Sequence, residues 1–405
     1  MKRPMICLFS AAVVVLVSFQ FPSTQSQSKI FITPDGSAPT GLFAPGVLVG
    51  KTLYVSGKGD YKPEEGIAGK TRNCLAEVRS VLKQADMDMD NVVQVWVYLE
   101  DINAYSEMNK VYAEFFPVNP PARTTLGVSS VPGESQIEMT AIAYKDLRDR
   151  KVIGTPAAGL PFSPGILAGG TLYISGKGDQ LADGTHPATL EEQVRQAMKN
   201  VETVLKAAGL DFRHAVMNHV YLDNYDNYST TNKVYSEFFE FGNEPARATV
   251  FVDHIPGGSH VEVTCLATTD LANRKVVRPA SLRYGLNEMA PTASPGVWAG
   301  DMLYLSAQPG FVPGEGLVSD NLGPQFRQMV RNQLDVVEAA GLELKDLVSG
   351  NVYLRDINDY APMNELYREF FTASPGVRTT LQQNSGYEKN SVRVRTSFIF
   401  TRPKK

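Results

Sequence analysis

"PARTTLGVSSVP" (Pro121–Pro132) and "PARATVFVDHIP" (Pro245–Pro256) are two versions of one phrase. "GVRTTLQQNSGY" (Gly376–Tyr387) is a third, with the opening Pro-Ala lost. Working outward, the surroundings repeat as well. "KTLYVSGKGD" (Lys51–Asp60) returns as "GTLYISGKGD" (Gly170–Asp179) and "DMLYLSAQPG" (Asp301–Gly310). "VWVYLEDINAYSEMNKVYAEFF" (Val95–Phe116) returns as "NHVYLDNYDNYSTTNKVYSEFF" (Asn218–Phe239) and "GNVYLRDINDYAPMNELYREFF" (Gly350–Phe371). The equivalent arginines Arg123, Arg247 and Arg378 are 124 and 131 residues apart, which is the length of a domain and not of a solenoid repeat. The joints repeat too: "DLRDRKV" (Asp146–Val152) matches "DLANRKV" (Asp270–Val276). The chain therefore divides into a leading segment 1–28 and three copies of one domain at 29–148, 149–276 and 277–405.

Each copy predicts the same elements. "TLYVSG" is a short alternating strand ended by glycine. An amphipathic helix follows, clearest in the second copy. There Leu190, Val194, Ala197, Met198, Val201, Val204, Leu205 and Ala208 keep the spacing of one apolar helical face. Gly209, Gly341 and, in the first copy, Asp86 stand where a left-handed C-cap belongs. Then come the strand "VVQVWVYL", a second helix carrying "YSEMNKVYAEFF", and two closing strands, "ARTTLGVSSV" and "SQIEMTAIAY". The order β–β–α–β–α–β–β predicts an α+β unit, a mixed sheet with both helices on one face.

The first residues stand apart. Lys2 and Arg3 precede an apolar stretch from Ile6 to Phe19 and then a Ser/Gln-rich segment. This reads as a secretory signal over 1–28, too short in its apolar part to span a bilayer, and it implies export to the periplasm or the medium. Removing it takes away two bases and no acid, so the formal charge moves from −4 to −6. An acidic chain without a basic, aromatic-studded strand face is a poor match to nucleic acid. Beyond the leader no segment reads as a membrane span. Cys74 and Cys265 remain, in different copies, and read as two separately buried thiols.

All five histidines, at 186, 214, 219, 254 and 260, fall in the second copy and fit no ligand spacing, so no metal is expected. No dinucleotide or phosphate loop and no nucleophile elbow is present, and no cofactor is implied. What recurs is a small polar set: Arg123, Arg247 and Arg378 at a strand start; Asn109, Asn232 and Asn364 in the second helix; Ser56, Ser175 and Ser306 at the end of the first strand. Glu138 and Glu262 lie in the last strand, with Arg393 taken as their counterpart in the third copy. Two readings of the arginine stand. It is a structural ion pair with that glutamate, or a planar fork for a substrate carboxylate. The serines read as strand-end hydrogen bonders, because no histidine base accompanies them in the first and third copies.

"LYVSGK", "N-x-VY-x-x-FF", "PARTT" and "IEMTAIA", in that order and spacing, resemble the Rid/YjgF family, also labelled L-PSP endoribonuclease-like, over almost the whole of residues 29–405. The resemblance implies a chorismate-mutase-like domain that assembles in threes with a site in each cleft. Three fused copies would then make an intramolecular pseudo-trimer, monomeric as a chain. It also implies an enamine/imine deaminase that hydrolyses 2-imino acids to keto acids and ammonia. By it, Arg123 with Glu138 and Arg247 with Glu262 are the catalytic pairs. Phe43, Ser56, Asn109, Thr125, Phe162, Ser175, Asn232, Thr249 and Arg378 are the substrate-binding positions. The partner is a small carboxylate-bearing imine. The sequence departs from the family at "SGK" in place of "SGQ", at Phe43, Phe162 and Ala293 in place of tyrosine, and in the third copy, whose site is expected to be altered or dead. The alternative is a non-catalytic module that binds a small carboxylate or a protein.

Overall fold

The computed structural model describes residues 29–403 apart from 37, 38, 40, 61, 63–65, 281–291 and 385–390. The expected signal segment lies outside the described residues. In the first unit the elements are β1 (Lys29–Ile32), β2 (Gly46–Val49), β3 (Thr52–Gly59), α1 (Ile67–Gln84), β4 (Val92–Leu99), α2 (Tyr105–Phe115), β5 (Ala122–Gly127) and β6 (Ile137–Tyr144). The second unit runs β7 (Lys151–Ile153), β8 (Gly165–Ala168), β9 (Thr171–Gly178), α3 (Leu190–Ala207), β10 (Ala215–Leu222), α4 (Tyr228–Ser236), β11 (Ala246–Phe251) and β12 (Val261–Thr268). The third begins with β13 (Arg274–Val277), β14 (Gly296–Ala299), β15 (Met302–Leu305) and three two-residue strands, β16 (Gln308–Pro309), β17 (Phe311–Val312) and β18 (Gly316–Leu317). It continues with α5 (Leu322–Ala339), β19 (Leu347–Leu354), α6 (Tyr360–Phe371), β20 (Val377–Gln382) and β21 (Val394–Thr401).

Strand order in the first unit's sheet is β1-β2-β3-β6-β4-β5, and the main sheets of the other two units repeat it, with β16 added on β21 and β17 paired with β18 apart in the third. Only the last pair of each, such as β4 with β5, is parallel. A parallel pair needs a crossover, and α2, α4 and α6 supply it. Each unit thus opens with one strand more than the sequence predicts. The extra strand is three or four residues long, too short to show a period, and lies in what reads as a joint. In the third unit that strand is β13, which pairs with β14, so the sheet takes in Arg274–Val276 from the N-terminal side of the expected 276/277 boundary.

The helices form for the reasons their sequences give. Before α3 the Thr189 hydroxyl accepts from the Glu192 N–H, and the Glu192 carboxylate accepts from the Thr189 N–H. This reciprocal cap satisfies two orphan donors of the first turn. Val194, Ala197, Met198, Val201, Val204 and Leu205 are buried as the spacing predicts. Gly209 and Gly341 both have φ near +74°, and Asp86 has φ +54°, so all three C-caps are left-handed.

All eight residues of β4, and all eight of β10, are buried. A central strand buried on both faces reads as a nearly continuous apolar run. One face of β4, with Val95 and Val97, packs under α1 and α2. The other, with Trp96 and Tyr98, enters a core shared by all three units that includes Tyr173, Tyr221, Tyr304 and Tyr353. Cys74 lies in the helix-side core of the first unit and Cys265 in that of the second; both are free thiols.

The three units close a ring. The Arg123 N–H donates to Ser175 Oγ at 2.8 Å, the Arg247 N–H to Ser306 Oγ at 2.8 Å, and the Arg378 N–H to Ser56 Oγ at 2.9 Å. Each serine passes its own hydrogen to a carbonyl of its own unit, on Ser163, Ser294 or Ala44, at 2.6 Å. A second set of equivalent residues fastens each unit to the preceding one. Arg150 donates to Val92 O, Arg274 to Ala215 O and Lys29 to Leu347 O. Cyclic repetition of one heterologous contact closes without leaving an open edge.

Candidate functional site at the unit junctions

Strand parity decides which groups can meet. On β4, Val95 lies opposite Arg123 and Tyr98 lies opposite Glu138. Positions an odd number apart point to opposite faces of a sheet. Arg123 is therefore on the helix side of its sheet and Glu138 on the side of the shared core. The expected pairing of Arg123 with Glu138, and by the same register of Arg247 with Glu262, is not made. Each arginine instead meets the following unit around the ring.

At the junction of units one and two, Arg123, Tyr105 and Thr125 face Phe162, Gly176 and Glu262 around a cavity of about 290 Å³. At the junction of units three and one, Arg378, Tyr360 and Thr380 meet Phe43, Gly57 and Glu138. The Glu138 carboxylate accepts the Thr380 N–H and feels the charge of Arg378. At the junction of units two and three, Arg247 meets Ser306 and Ala307.

The arginines are buried, and among the described residues no carboxylate is hydrogen-bonded to them. The Arg123 guanidinium carbon lies 4.7 Å from the ring centres of both Tyr112 and Phe162, a sandwich between its own helix and the next unit. Its Nη2 donates to Tyr105 Oη at 3.1 Å. Arg378 lies 4.9 Å from Tyr367 and 4.8 Å from Phe43, and its Nη2 donates to Tyr360 Oη at 3.3 Å. Aromatic faces stabilise a desolvated guanidinium without consuming its donors. In each of the three arginines Nη1 is buried with no hydrogen-bond partner among the described residues. A buried guanidinium with one free donor is half of a carboxylate clamp.

Opposite it sits an unusual acid. Burial pushes Glu262 up to about 8, against the pull of Lys177 and Arg123. Burial likewise pushes Glu138 up to about 8, against the Thr380 N–H, Arg378 and Lys58. A carboxyl shifted into the neutral range can both give and take a proton there. Each carboxylate lies over a glycine: a Cβ at Gly57 would collide with Glu138 Oε1, and one at Gly176 with Glu262 Oε1. This is the physical reason for the glycine of "SGK" in these two units. Lys58 and Lys177 are half-buried beside the acids, not solvated, and burial lowers both, Lys177 to about 8.

The third copy corrects a further expectation. Arg393 does not stand in for the glutamate. Its Nε and Nη2 pair with Asp359 at 2.9 and 2.6 Å. The register puts Arg395 opposite Tyr353, as Glu138 is opposite Tyr98 and Glu262 opposite Tyr221. A slip of two residues keeps the in–out alternation, so strand pattern alone does not distinguish 393 from 395. The equivalent of Gly57 is Ala307, where the register puts Arg395 in place of the glutamate that lies over Gly57 and Gly176. The altered cleft therefore belongs to Arg247 of the second copy. Arg378 of the third copy, expected in an altered or dead site, faces the intact Glu138.

Other expected site residues fall as follows. Phe43 and Phe162 cover arginines, and Thr125 lines the cavity with its hydroxyl unpartnered among the described residues. Ser56 and Ser175 spend their hydroxyls on the ring contacts above and so position the arginine backbone. Asn232 accepts from Arg247 Nη2 at 2.6 Å, whereas Asn109 is half-buried with Oδ1 unpartnered among the described residues. Thr249 is buried two residues beyond Arg247. Tyr105, Tyr228 and Tyr360 were not singled out from the sequence. Their signal was there: Tyr-x-x-x-Asn recurs in all three copies, and i,i+4 spacing sets both side chains on one helical face. Among the described residues no group of three or more His, Cys, Asp or Glu is placed to hold a metal ion.

With this geometry in hand, known proteins give a consistent picture. The profile described as Endoribonuclease L-PSP matches residues 33–145, 153–269 and 287–385. A RutC family protein of Pyrococcus abyssi is 34% identical over 124 residues, 29% of this chain and 98% of the relative. The 2-iminobutanoate/2-iminopropanoate deaminase of Rattus norvegicus is 38% identical over 123 residues, 29% of this chain and 89% of the relative. A solved chorismatase superposes on 77% of this chain and 93% of its own with a TM-score of 0.55 at 12% identity, a likeness of fold alone. Three matches on three repeated folds make the chain a member of the Endoribonuclease L-PSP family, the Rid/YjgF family, with three domains in one polypeptide.

Proposed function

We propose that the protein hydrolyses small 2-imino acids and their enamine tautomers to keto acids and ammonia, at the two clefts built by Arg123 with Glu262 and Arg378 with Glu138. The observation that carries this reading is the buried guanidinium with a free Nη1, set across a junction from a buried carboxyl shifted to about 8. The deaminase relatives support the same chemistry.

The substrate carboxylate takes the free edge of the arginine, which orients the C=N bond and makes the later steps effectively intramolecular. The glutamic acid, protonated at rest, gives its proton to the imine nitrogen. The carboxylate so formed takes a proton from water as the water oxygen bonds to carbon. The restored acid then protonates the amine of the tetrahedral adduct. The C–N bond breaks, ammonia leaves, and the hydroxyl proton returns to the glutamate as C=O forms. The sum is one imine and one water to one keto acid and one ammonia.

The chain acts as a single closed ring outside the cytoplasm in this reading, supported by the ring contacts and by Lys2, Arg3 and the apolar stretch that follows. The test is to generate 2-iminobutanoate in situ and follow its loss with the chain beginning near residue 29. Acceleration abolished by Arg123→Ala with Arg378→Ala supports the proposal. No acceleration by a folded wild type overturns it in favour of a binding module.

A further inference from the structure

At both intact clefts a tyrosine of the second helix is bonded to the arginine. Tyr105 opens α2 and is half-buried. It lines the cavity of about 290 Å³ together with Arg123 and Thr125, with Glu262 supplied from across the junction. Its Oη accepts from Arg123 Nη2 at 3.1 Å, and the guanidinium carbon lies 5.5 Å from its ring centre. Tyr360 opens α6 and repeats the arrangement on Arg378, at 3.3 Å and 5.6 Å.

A guanidinium has donors and no acceptor, so the phenol oxygen accepts in this bond and keeps its own hydrogen. No acceptor takes that hydrogen among the described residues. Accepting from a cation also polarises the O–H and strengthens it as a donor in a dry site. The neighbouring Nη1 is buried with no partner among the described residues. Each cleft therefore holds two unused donors at one guanidinium, an N–H and an O–H, and a carboxylate has two oxygens to meet them. Phe162 and Phe43, which cover these arginines from the next unit, bring no polar side-chain atom. At the altered cleft Arg247 Nη2 is held at 2.6 Å by Asn232 Oδ1, an acceptor with no hydrogen to pass on.

We propose that Tyr105 and Tyr360 bind substrate directly: each phenol donates its hydrogen to one oxygen of the substrate carboxylate, while Nη1 of Arg123 or Arg378 donates to the other. The inference rests on the reading of these clefts as sites for a carboxylate-bearing imine. The carboxylate does not react, so the phenol holds ground state and transition state alike. It selects carboxylate-bearing imines over neutral ones and sets KM, not kcat.

The test uses the chain beginning near residue 29, titrated calorimetrically with 2-oxobutanoate, the product of 2-iminobutanoate hydrolysis. The neutral reference is 2-oxobutanamide. Tyr105→Phe with Tyr360→Phe should weaken 2-oxobutanoate about tenfold or more at two sites per chain and leave the amide unmoved. On 2-iminobutanoate the same double variant should raise KM by a similar factor with kcat nearly unchanged. A fluorinated tyrosine at 105 and 360, which ionises at lower pH, separates direct contact from support of the arginine. Once ionised it still accepts from the guanidinium but has no hydrogen to give. Keto-acid binding should then fall relative to the unsubstituted chain at the same pH, where the titration of Glu138 and Glu262 is common to both. Binding that survives the double phenylalanine variant, or that holds through ionisation of the fluorotyrosine, overturns the proposal. Phenol-dependent 2-oxobutanoate binding in a chain without imine turnover would remove the hydrolysis and keep this role of the tyrosines. Hydrolysis indifferent to the double variant would do the reverse.

Discussion

The backbone N–H of Arg378 donates to the hydroxyl of Ser56 at 2.9 Å, joining residues 322 positions apart in the chain. This bond fastens the last unit to the first and fixes the root of a cleft arginine at the same time. Ser175 and Ser306 do so at the other two junctions. Ser175→Ala should therefore cost about 1–3 kcal/mol through a buried, unpaired N–H. Its turnover should fall only modestly. Denaturant unfolding and steady-state kinetics check both, and a loss as large as that of a missing nucleophile would contradict the positioning role.

The two intact clefts predict an asymmetric mutational pattern. Arg123→Ala and Arg378→Ala should each remove one cleft's share of turnover, and the double variant should lose about a hundredfold or more. Arg247→Ala should leave imine hydrolysis unchanged. Initial rates on 2-iminobutanoate separate these outcomes.

Gly176 leaves space for the carboxylate of Glu262. Gly176→Ala should displace that carboxylate and silence the first cleft while the one at Gly57 continues. The converse is a rebuilding experiment: Ala293→Phe, Ala307→Gly and Arg395→Glu together should raise turnover per chain toward that of three clefts. Rates in an Arg123→Ala, Arg378→Ala background would show any gain directly.

The raised pKa of Glu138 and Glu262 sets the pH profile. As an acid that first protonates the imine, each must carry its proton in the free enzyme, so kcat/KM should hold below about 8 and fall above it. A rise through the same range would make the carboxylate a base from the outset.

Stability should depend on pH through His219, buried in the shared centre at 5.7 Å from the Trp96 ring. Burial lowers it from 6.5 to about 4. Between those values the unfolded chain binds the proton and the folded one does not, so His219 subtracts stability as pH falls from 6.5 to 4. The full effect is about 3 kcal/mol. Glu138 and Glu262 work in the opposite sense, since their folded pKa lies above the ordinary 4.5 and favours the fold as pH falls from about 8. The readout is therefore the difference between wild type and His219→Leu, which should widen below pH 6.5.

Much of the molecule was legible in the chain. The threefold repeat, the helix of Leu190–Ala207 and the left-handed caps at Asp86, Gly209 and Gly341 follow from local spacing and local backbone chemistry, which need no knowledge of neighbours. So does the presence of one arginine per unit. The three-residue strand Lys151–Ile153 was not legible, because so short an edge strand carries no period. Nor was Arg395, because strand alternation repeats every two residues and accepts 393 equally well.

The sequence by itself determined what each unit is, since a hydrophobic period and a cap act within a few residues. Only the tertiary structure decided which unit completes which site. Arg123 and Glu138 share a sheet but point from opposite faces, so each must find its counterpart in a different neighbour. Closing the ring brings Arg123 to Glu262, Arg378 to Glu138 and Arg247 to Arg395, pairings that no spacing along the chain encodes.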